Sequence, residues 1–290
     1  MTLLLVSEEL AKSHNSGYTR KDGTVVHPFD DKRYKKPATK WSATGSHGVT
    51  APQYGLPGAK PGYGGGGGYG GHSGALFDAP KPKPKAYHPK PGDKGQQVGI
   101  YSPHVPAVAA LSDPGAVATI TPGCEMPESL NGIAFTSWTP PADEDWDFVD
   151  GQMDDLDEPV LHVPKGKEAA SGLVIVEPDG RAWVVSPTNR FGGYKNTFPK
   201  GKVEPELSFQ SNAIKEAWEE GGIKANVIGL LGDVERTTSV TRYYLARRVA
   251  GNPAADVTWE SQAVHLVPIA KLTDFLDAKV DHSVVDLLSG

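Results

Sequence analysis

Gly201-Lys202-Val203-Glu204-Pro205-Glu206-Leu207-Ser208-Phe209-Gln210-Ser211-Asn212-Ala213-Ile214-Lys215-Glu216-Ala217-Trp218-Glu219-Glu220-Gly221-Gly222-Ile223 is the stretch on which the reading of this chain turns. Ser208 or Ser211 can cap a helix, and Ala213, Ile214, Ala217 and Trp218 recur at three- and four-residue spacings that give it one apolar face. Glu216, Glu219 and Glu220 stand at i, i+3 and i+4 and so converge on one side of that helix. Carboxylates held together repel one another, and a divalent cation relieves the repulsion. Oxygen-only ligands select a hard ion, Mg²⁺ or Mn²⁺, and Mg²⁺ keeps waters and also binds substrate phosphates. Gly221-Gly222 ends the helix with a residue free to take positive φ.

Outward from the helix, the pattern is that of a compact α/β domain. Gly172–Val176 and Ala182–Val185 read as strands joined into a hairpin by the Pro178-Asp179-Gly180 turn. Further strands are expected at Val227–Leu231, Arg242–Val249 and Ala263–Val267, with short helices at Leu272–Leu276 and Ser283–Leu288. His265 alternates with Val264 and Leu266 and is expected to face outward.

The central stretch resembles the Nudix box, written Gly, five residues, Glu, seven residues, Arg-Glu, an aliphatic, any residue, Glu-Glu, any residue, Gly and an aliphatic. Gly201, Glu216, Ala217, Glu219, Glu220, Gly222 and Ile223 occupy matching positions, and Phe198-Pro199-Lys200 resembles the usual lead-in. Two positions depart from it. Leu207 replaces the first Glu, with Glu206 and Glu204 just ahead of it, and Lys215 replaces the Arg without its planar fork.

The resemblance implies a Nudix α/β/α sandwich with a mixed sheet over residues 165–290. It also implies Mg²⁺- or Mn²⁺-dependent hydrolysis of a nucleoside diphosphate linked to another group, or of a related polyphosphate. Glu216, Glu219 and Glu220 would be metal ligands, the Gly201 carbonyl a further one, and Glu220 or Glu216 would also position the water. Glu260, in the loop after the box, reads equally as a general base and as a solvated carboxylate. Leu207 and Lys215 motivate an alternative of another class, a Nudix domain that binds a nucleotide or ADP-ribose with little turnover.

Arg190, Lys195, Lys200, Lys202, Arg236 and Arg242 are the candidates for holding substrate phosphates. Ordinary surface charge accounts equally for at least half of them. Their density ahead of the box suggests a polyphosphorylated substrate, of the kind taken by diphosphoinositol or dinucleoside polyphosphate hydrolases of the family. Tyr194, Phe198 and Tyr243 are more readily packing residues than base-stacking ones.

The 290 residues hold 34 Gly and 25 Pro, more than helices and strands accommodate. Residues 45–99 are read as a disordered Gly/Pro-rich linker, with the run Gly64 to Gly68 inside it. Its Lys-Pro alternation at 81–85 favours polyproline II and reads more readily as plain linker than as a docking site for a proline-recognising protein partner. Residues 1–44 form a small arm with a weak helix at Thr2–Lys12, a hairpin about Asp22-Gly23 and a basic cluster at 32–36. Residues 100–164 read as irregular, ending in a solvated acidic stretch at 143–158.

A net charge of −6 argues against a dedicated nucleic-acid binder. The single Cys124 excludes an internal disulfide and fits a reducing, cytoplasmic location. Leu3–Val6 is too short to span a membrane.

Overall fold

The structure, a computed structural model, describes residues 18–19, 25–26 and 83–288. Strands β1 (Tyr18–Thr19) and β2 (Val25–Val26) pair antiparallel with Tyr18 opposite Val26 and Thr19 opposite Val25, and the expected turn at Asp22-Gly23 lies outside the described residues. They lie in one unit and residues 83–288 in another. The expected helix at 2–12, the basic cluster at 32–36 and the glycine run lie outside the described residues.

In the larger unit, short strands come first: β3 (Ala86–Tyr87), β4 (Gly99–Ile100), β5 (Ala118–Ile120), β6 (Ser129–Leu130) and β7 (Ile133–Ala134). Longer elements follow: β8 (Glu168–Ile175), β9 (Arg181–Pro187), β10 (Lys200–Lys202), α1 (Phe209–Gly221), β11 (Lys224–Glu235), β12 (Ser239–Ala250) and β13 (Ser261–Pro268). The chain then forms α2 (Leu272–Phe275) and α3 (Lys279–Leu287). A four-stranded sheet runs β10-β8-β12-β11, with β8 and β12 parallel and the other pairs antiparallel. A second, three-stranded sheet runs β5-β13-β9 and is antiparallel throughout.

Alternation along the strands divides the core in two. Leu173, Ile175, Trp183, Tyr244, Val264 and Leu266 turn to the side where α1 contributes Ala213, Ile214 and Ala217. Val174, Val184, Tyr243 and Val267 turn to the other side, against Leu272, Leu276 and Val284. Helices therefore cover both faces of a mixed sheet, which is the expected α/β/α sandwich.

Several expectations differ from the structure. The turn at Pro178-Asp179-Gly180 forms, with Gly180 at φ 82° and the Glu177 N–H donating to Arg181 O at 2.8 Å. Yet β8 and β9 share only the bridge Val176↔Ala182 and then enter different sheets. Both strands are buried almost throughout, so each needs partners on its own flanks rather than one shared hairpin edge.

The expected linker also ends earlier than residue 99. β3 and β4 pair, Ile100 is buried, and His88 is buried with its ring bonded to Ser261 O at 3.2 Å. Residues 100–164 are short in regular structure, but they pack. β5 joins β13, and β6 and β7 pair through an Asn131-Gly132 turn with both residues at positive φ. The acidic stretch at 143–158 is no solvated linker. Trp146 and Val149 are buried, and Trp138, Trp146 and Trp218 meet with ring centroids 5.9 to 6.4 Å apart. Aromatic burial outweighs the surrounding carboxylates there.

His265 points inward rather than outward. It is 2% exposed, its Nε2 lies 2.8 Å from Ser186 Oγ and its Nδ1 lies 3.0 Å from Thr119 Oγ1. The β5-β13-β9 sheet is covered on both faces, so alternation does not select an outward side. Burial first, then the neighbouring His104 and Lys195 charges, pushes its pKa down to about 3. The unfolded chain protonates His265 near its ordinary pKa of 6.5, whereas the folded chain resists until about pH 3. Stability is therefore full above pH 6.5 and falls below it, by about 1.4 kcal/mol per pH unit from this residue. Because the raised Glu216 and Glu220 titrate with the opposite sign, that slope should appear as the difference between parent and His265→Gln in urea titrations between pH 7 and pH 4.

Candidate active site

The central helix α1 is set by its ends. Ser208 Oγ accepts a hydrogen bond from the Ser211 N–H at 3.0 Å, so Ser208 is the cap. Gly222 closes the helix at φ 63°, and a Cβ there would lie 2.7 Å from Val257 N. With the apolar face of α1 buried, its carboxylates are presented toward β10 and the loop ahead of β13.

β10 brings the start of the motif beneath them. Gly201 pairs with Ser171, and a Cβ on Gly201 would lie 1.9 Å from Glu216 Oε1. Only glycine lets the Glu216 carboxylate rest there. Glu220 Oε2 accepts the Lys200 N–H at 2.8 Å, which ties the helix to the strand from the other side. Gly201→Ala is expected to displace Glu216, lowering Mn²⁺ affinity and turnover about 10- to 100-fold with little change in melting temperature. Mn²⁺ titration and kinetics on the same sample check this.

Glu216, Glu220 and Glu260 line a cleft of about 550 Å³ together with Lys200, Gly201, Lys202 and Arg236. Burial, then Glu220, Glu219 and Glu260, raises Glu216 well above the ordinary carboxylate range. Burial raises Glu220 to about 7 against the opposing pull of Lys200. Burial and Asp93 raise Glu260. Burial is the largest cause of all three shifts, and repulsion from neighbouring carboxylates adds to each.

Among the described residues, no three His, Cys, Asp or Glu side chains close around one point. Glu216 and Glu220 face the larger cleft, whereas Glu219 lines an adjoining cleft of about 300 Å³. The donors nonetheless fit a hard divalent cation: they are oxygen-only and mutually repelling, and they lie over a glycine that leaves room for a carboxylate.

The two departures from the motif have structural answers. Leu207 packs against the core cluster. Lys215 Nζ donates to Glu204 Oε1 at 2.5 Å and lies 3.9 Å from Glu219 Oε1, so Glu204 supplies a carboxylate to the cation on the helix.

The predicted phosphate-holding residues divide. Lys200, Lys202 and Arg236 line the cleft. The Arg236 guanidinium donates to Tyr194 Oη at 3.2 Å and Tyr243 Oη at 2.6 Å and pairs with buried Asp281 of α3, while its Nε has no acceptor. Buried Thr241 also lines the cleft, with its hydroxyl unpartnered. Lys200 Nζ lies over the Tyr194 ring, 4.4 Å from its centroid.

Arg242 is not in the cleft. It is 2% exposed and bonds Asp233, Glu158 and Pro159 O, so its fork is consumed in bracing β11 and β12 against the upstream chain. Arg190 and Lys195 are exposed and line neither cleft, although Phe191, Gly192 and Tyr194 of the same loop line the larger one. Phe198 and Tyr243 are fully buried packing residues, and Tyr194 lines the cleft. Asp93, Trp259 and Thr241 line the cleft without having been singled out in the sequence.

Comparison with known proteins bears on residues 166–288, which match the NUDIX domain family model. A NUDIX hydrolase from Nitrosomonas europaea is 17% identical, with a TM-score of 0.39, over 42% of this chain and 88% of that one. A Streptococcus suis ADP-ribose pyrophosphatase is 14% identical, with a TM-score of 0.34, over 42% and 87%. A C. elegans Ap4A hydrolase is 20% identical, with a TM-score of 0.35, over 42% and 95%. No curated protein matches the chain. No helix among the described residues is long and apolar enough to cross a membrane.

Proposed function

We infer, from the premise that residues 166–288 are a Nudix domain, that this chain is a metal-dependent hydrolase of phosphorus anhydride bonds. Its substrate class is a nucleoside diphosphate linked to another group, or a related polyphosphate. The observation that carries the reading is one cleft lined both by Glu216, Glu220 and Glu260 and by Lys200, Lys202 and Arg236. An anion bridged to a cation is what such a mixed lining accommodates.

Glu216 and Glu220, with the Gly201 carbonyl, would hold Mg²⁺ or Mn²⁺, which when bound supplies charge neutralisation on the phosphate oxygens. The chain's own groups do the rest. Lys200 and Arg236 bind and orient the phosphates, and the unpartnered Arg236 Nε and Thr241 hydroxyl offer two further donors. The ion pair with Asp281 fixes the guanidinium before substrate arrives. Glu260, whose proton affinity burial and the Asp93 charge raise, takes the proton of the attacking water.

The reading is tested by following phosphate or mononucleotide release with Mg²⁺ and with Mn²⁺ on ADP-ribose, dinucleoside polyphosphates, nucleoside triphosphates, NADH and a diphosphoinositol phosphate. Metal-dependent turnover of one class is the expected result. No turnover across the panel in either metal would sink it.

A further inference from the structure

The smaller cleft, of about 300 Å³, abuts the larger one, and Asp93, Trp259 and Glu260 line both. Asp93 lies upstream of the Nudix domain, in the turn between β3 and β4. That turn is held against the domain by several contacts. Asp93 Oδ1 accepts the Trp259 indole N–H at 2.8 Å, and His88 bonds Ser261 O at 3.2 Å. Further along, Asn189 Nδ2 donates to Gly99 O at 2.7 Å and accepts the Tyr101 N–H through Oδ1 at 3.0 Å.

Both clefts carry carboxylates, and they differ in their cations, the larger being lined by Lys200, Lys202 and Arg236. Among the described residues lining the smaller one, Lys90 alone is a cation, whereas Asp93, Glu219, Asp256 and Glu260 are carboxylates. A phosphate is repelled there and drawn instead to Lys200 and Arg236. The smaller cleft also carries two indoles, Trp218 and Trp259, and the Trp218 Nε1–H is buried with no acceptor. The group that suits it is flat and aromatic, to stack on an indole, with N–H donors for the carboxylates.

We propose that the smaller cleft is the pocket for an amino-bearing nucleobase, and that Asp93, contributed from outside the Nudix domain, is a positioning residue that holds Trp259 as its stacking surface. The proposal rests on the reading above for the placement of the phosphates and extends it to the other end of the substrate. It makes the upstream chain a structural part of substrate recognition. It also gives a reason for the clefts to meet at Glu260: the anhydride lies between the base and the phosphates held by Lys200 and Arg236.

The test uses the ¹⁵N-labelled full chain, with the indole N–H signals of Trp218 and Trp259 identified by Trp218→Phe and Trp259→Phe. Adenosine and cytidine carry the base without the anhydride, and both should shift the two signals saturably. Ribose 5-phosphate should not. Asp93→Ala should weaken adenosine binding about tenfold, a typical worth for one base-stacking contact. Asp93→Asn, which keeps an acceptor for Trp259, should stay within about threefold of the parent. Signals unmoved by either nucleoside, equal shifts with ribose 5-phosphate, or an unchanged affinity in Asp93→Ala would each overturn the proposal. Nucleoside binding without hydrolysis of any anhydride would support the pocket and refute the hydrolase reading. Hydrolysis with silent indoles would do the reverse.

Discussion

Glu220→Gln should lower turnover about a hundred- to ten-thousand-fold while leaving the melting temperature unchanged or raised. The substitution keeps the volume of the side chain and an oxygen able to accept the Lys200 N–H, so the tie between α1 and β10 survives. What is lost is the negative charge at the centre of a cluster where Glu216, Glu219 and Glu260 already repel one another. Removing one charge from such a cluster relieves strain in the folded state and weakens its hold on a cation. A site kept at a cost in stability shows that opposite movement of activity and melting temperature. Glu206→Gln, at an exposed position outside the cleft, is the control and should stay within about twofold. Kinetics in Mg²⁺ and Mn²⁺ beside a thermal melt measure both arms, and near-normal rates in Glu220→Gln would refute the assignment.

The largest effect on stability is expected at Glu177. Its carboxylate is 2% exposed and accepts from Arg248 Nε at 2.6 Å, Trp183 Nε1 at 2.9 Å and Asn131 Nδ2 at 3.0 Å. Arg248 is as deeply buried and reaches Leu130 O at 3.0 Å and the Phe135 ring at 4.5 Å. The pair thereby fastens the β6–β7 turn onto β12. Glu177→Ala leaves the guanidinium buried without its counter-charge and should cost about 3–5 kcal/mol. Glu177→Leu combined with Arg248→Met removes both charges and should recover most of that loss. Urea midpoints of the single and double variants decide it. A loss below about 1 kcal/mol in Glu177→Ala would place the pair at the level of a surface contact.

The sequence carried the parts of this molecule whose causes are local. α1 was legible because its cap at Ser208, its closing Gly222 and its apolar spacing lie within one stretch, and the carboxylates follow from the same helix. The strand positions were legible from hydrophobic runs, but their partners were not. β8 and β9 are joined by a proper turn and still separate into two sheets, because pairing is settled by strands far along the chain. The Asn131-Gly132 turn was present as a signal, yet its strands are two residues each and gave no pattern to flank it.

The cleft shows the same division. Glu216, Glu219 and Glu220 announce themselves by spacing. Asp93 and Trp259 are 166 residues apart and meet only through the docking of β3 and β4. Arg242 looked like a phosphate ligand because its charge was visible, while Asp233 and Glu158, which occupy it, were not visibly its neighbours.

β5 lies outside the residues that match the family model, yet it forms the flank of β13, with Val264 opposite Ile120 and Leu266 opposite Ala118. A protease cut that released residues 166–288 alone would strip that flank away. It would leave the unpaired N–H and C=O groups of β13 open beside apolar side chains that are fully buried in the intact chain. An uncovered edge of that kind is a template for joining a second copy strand to strand. The upstream chain thus acts as a built-in guard against self-association, and the fragment that carries the whole recognised motif would be the form most prone to aggregate.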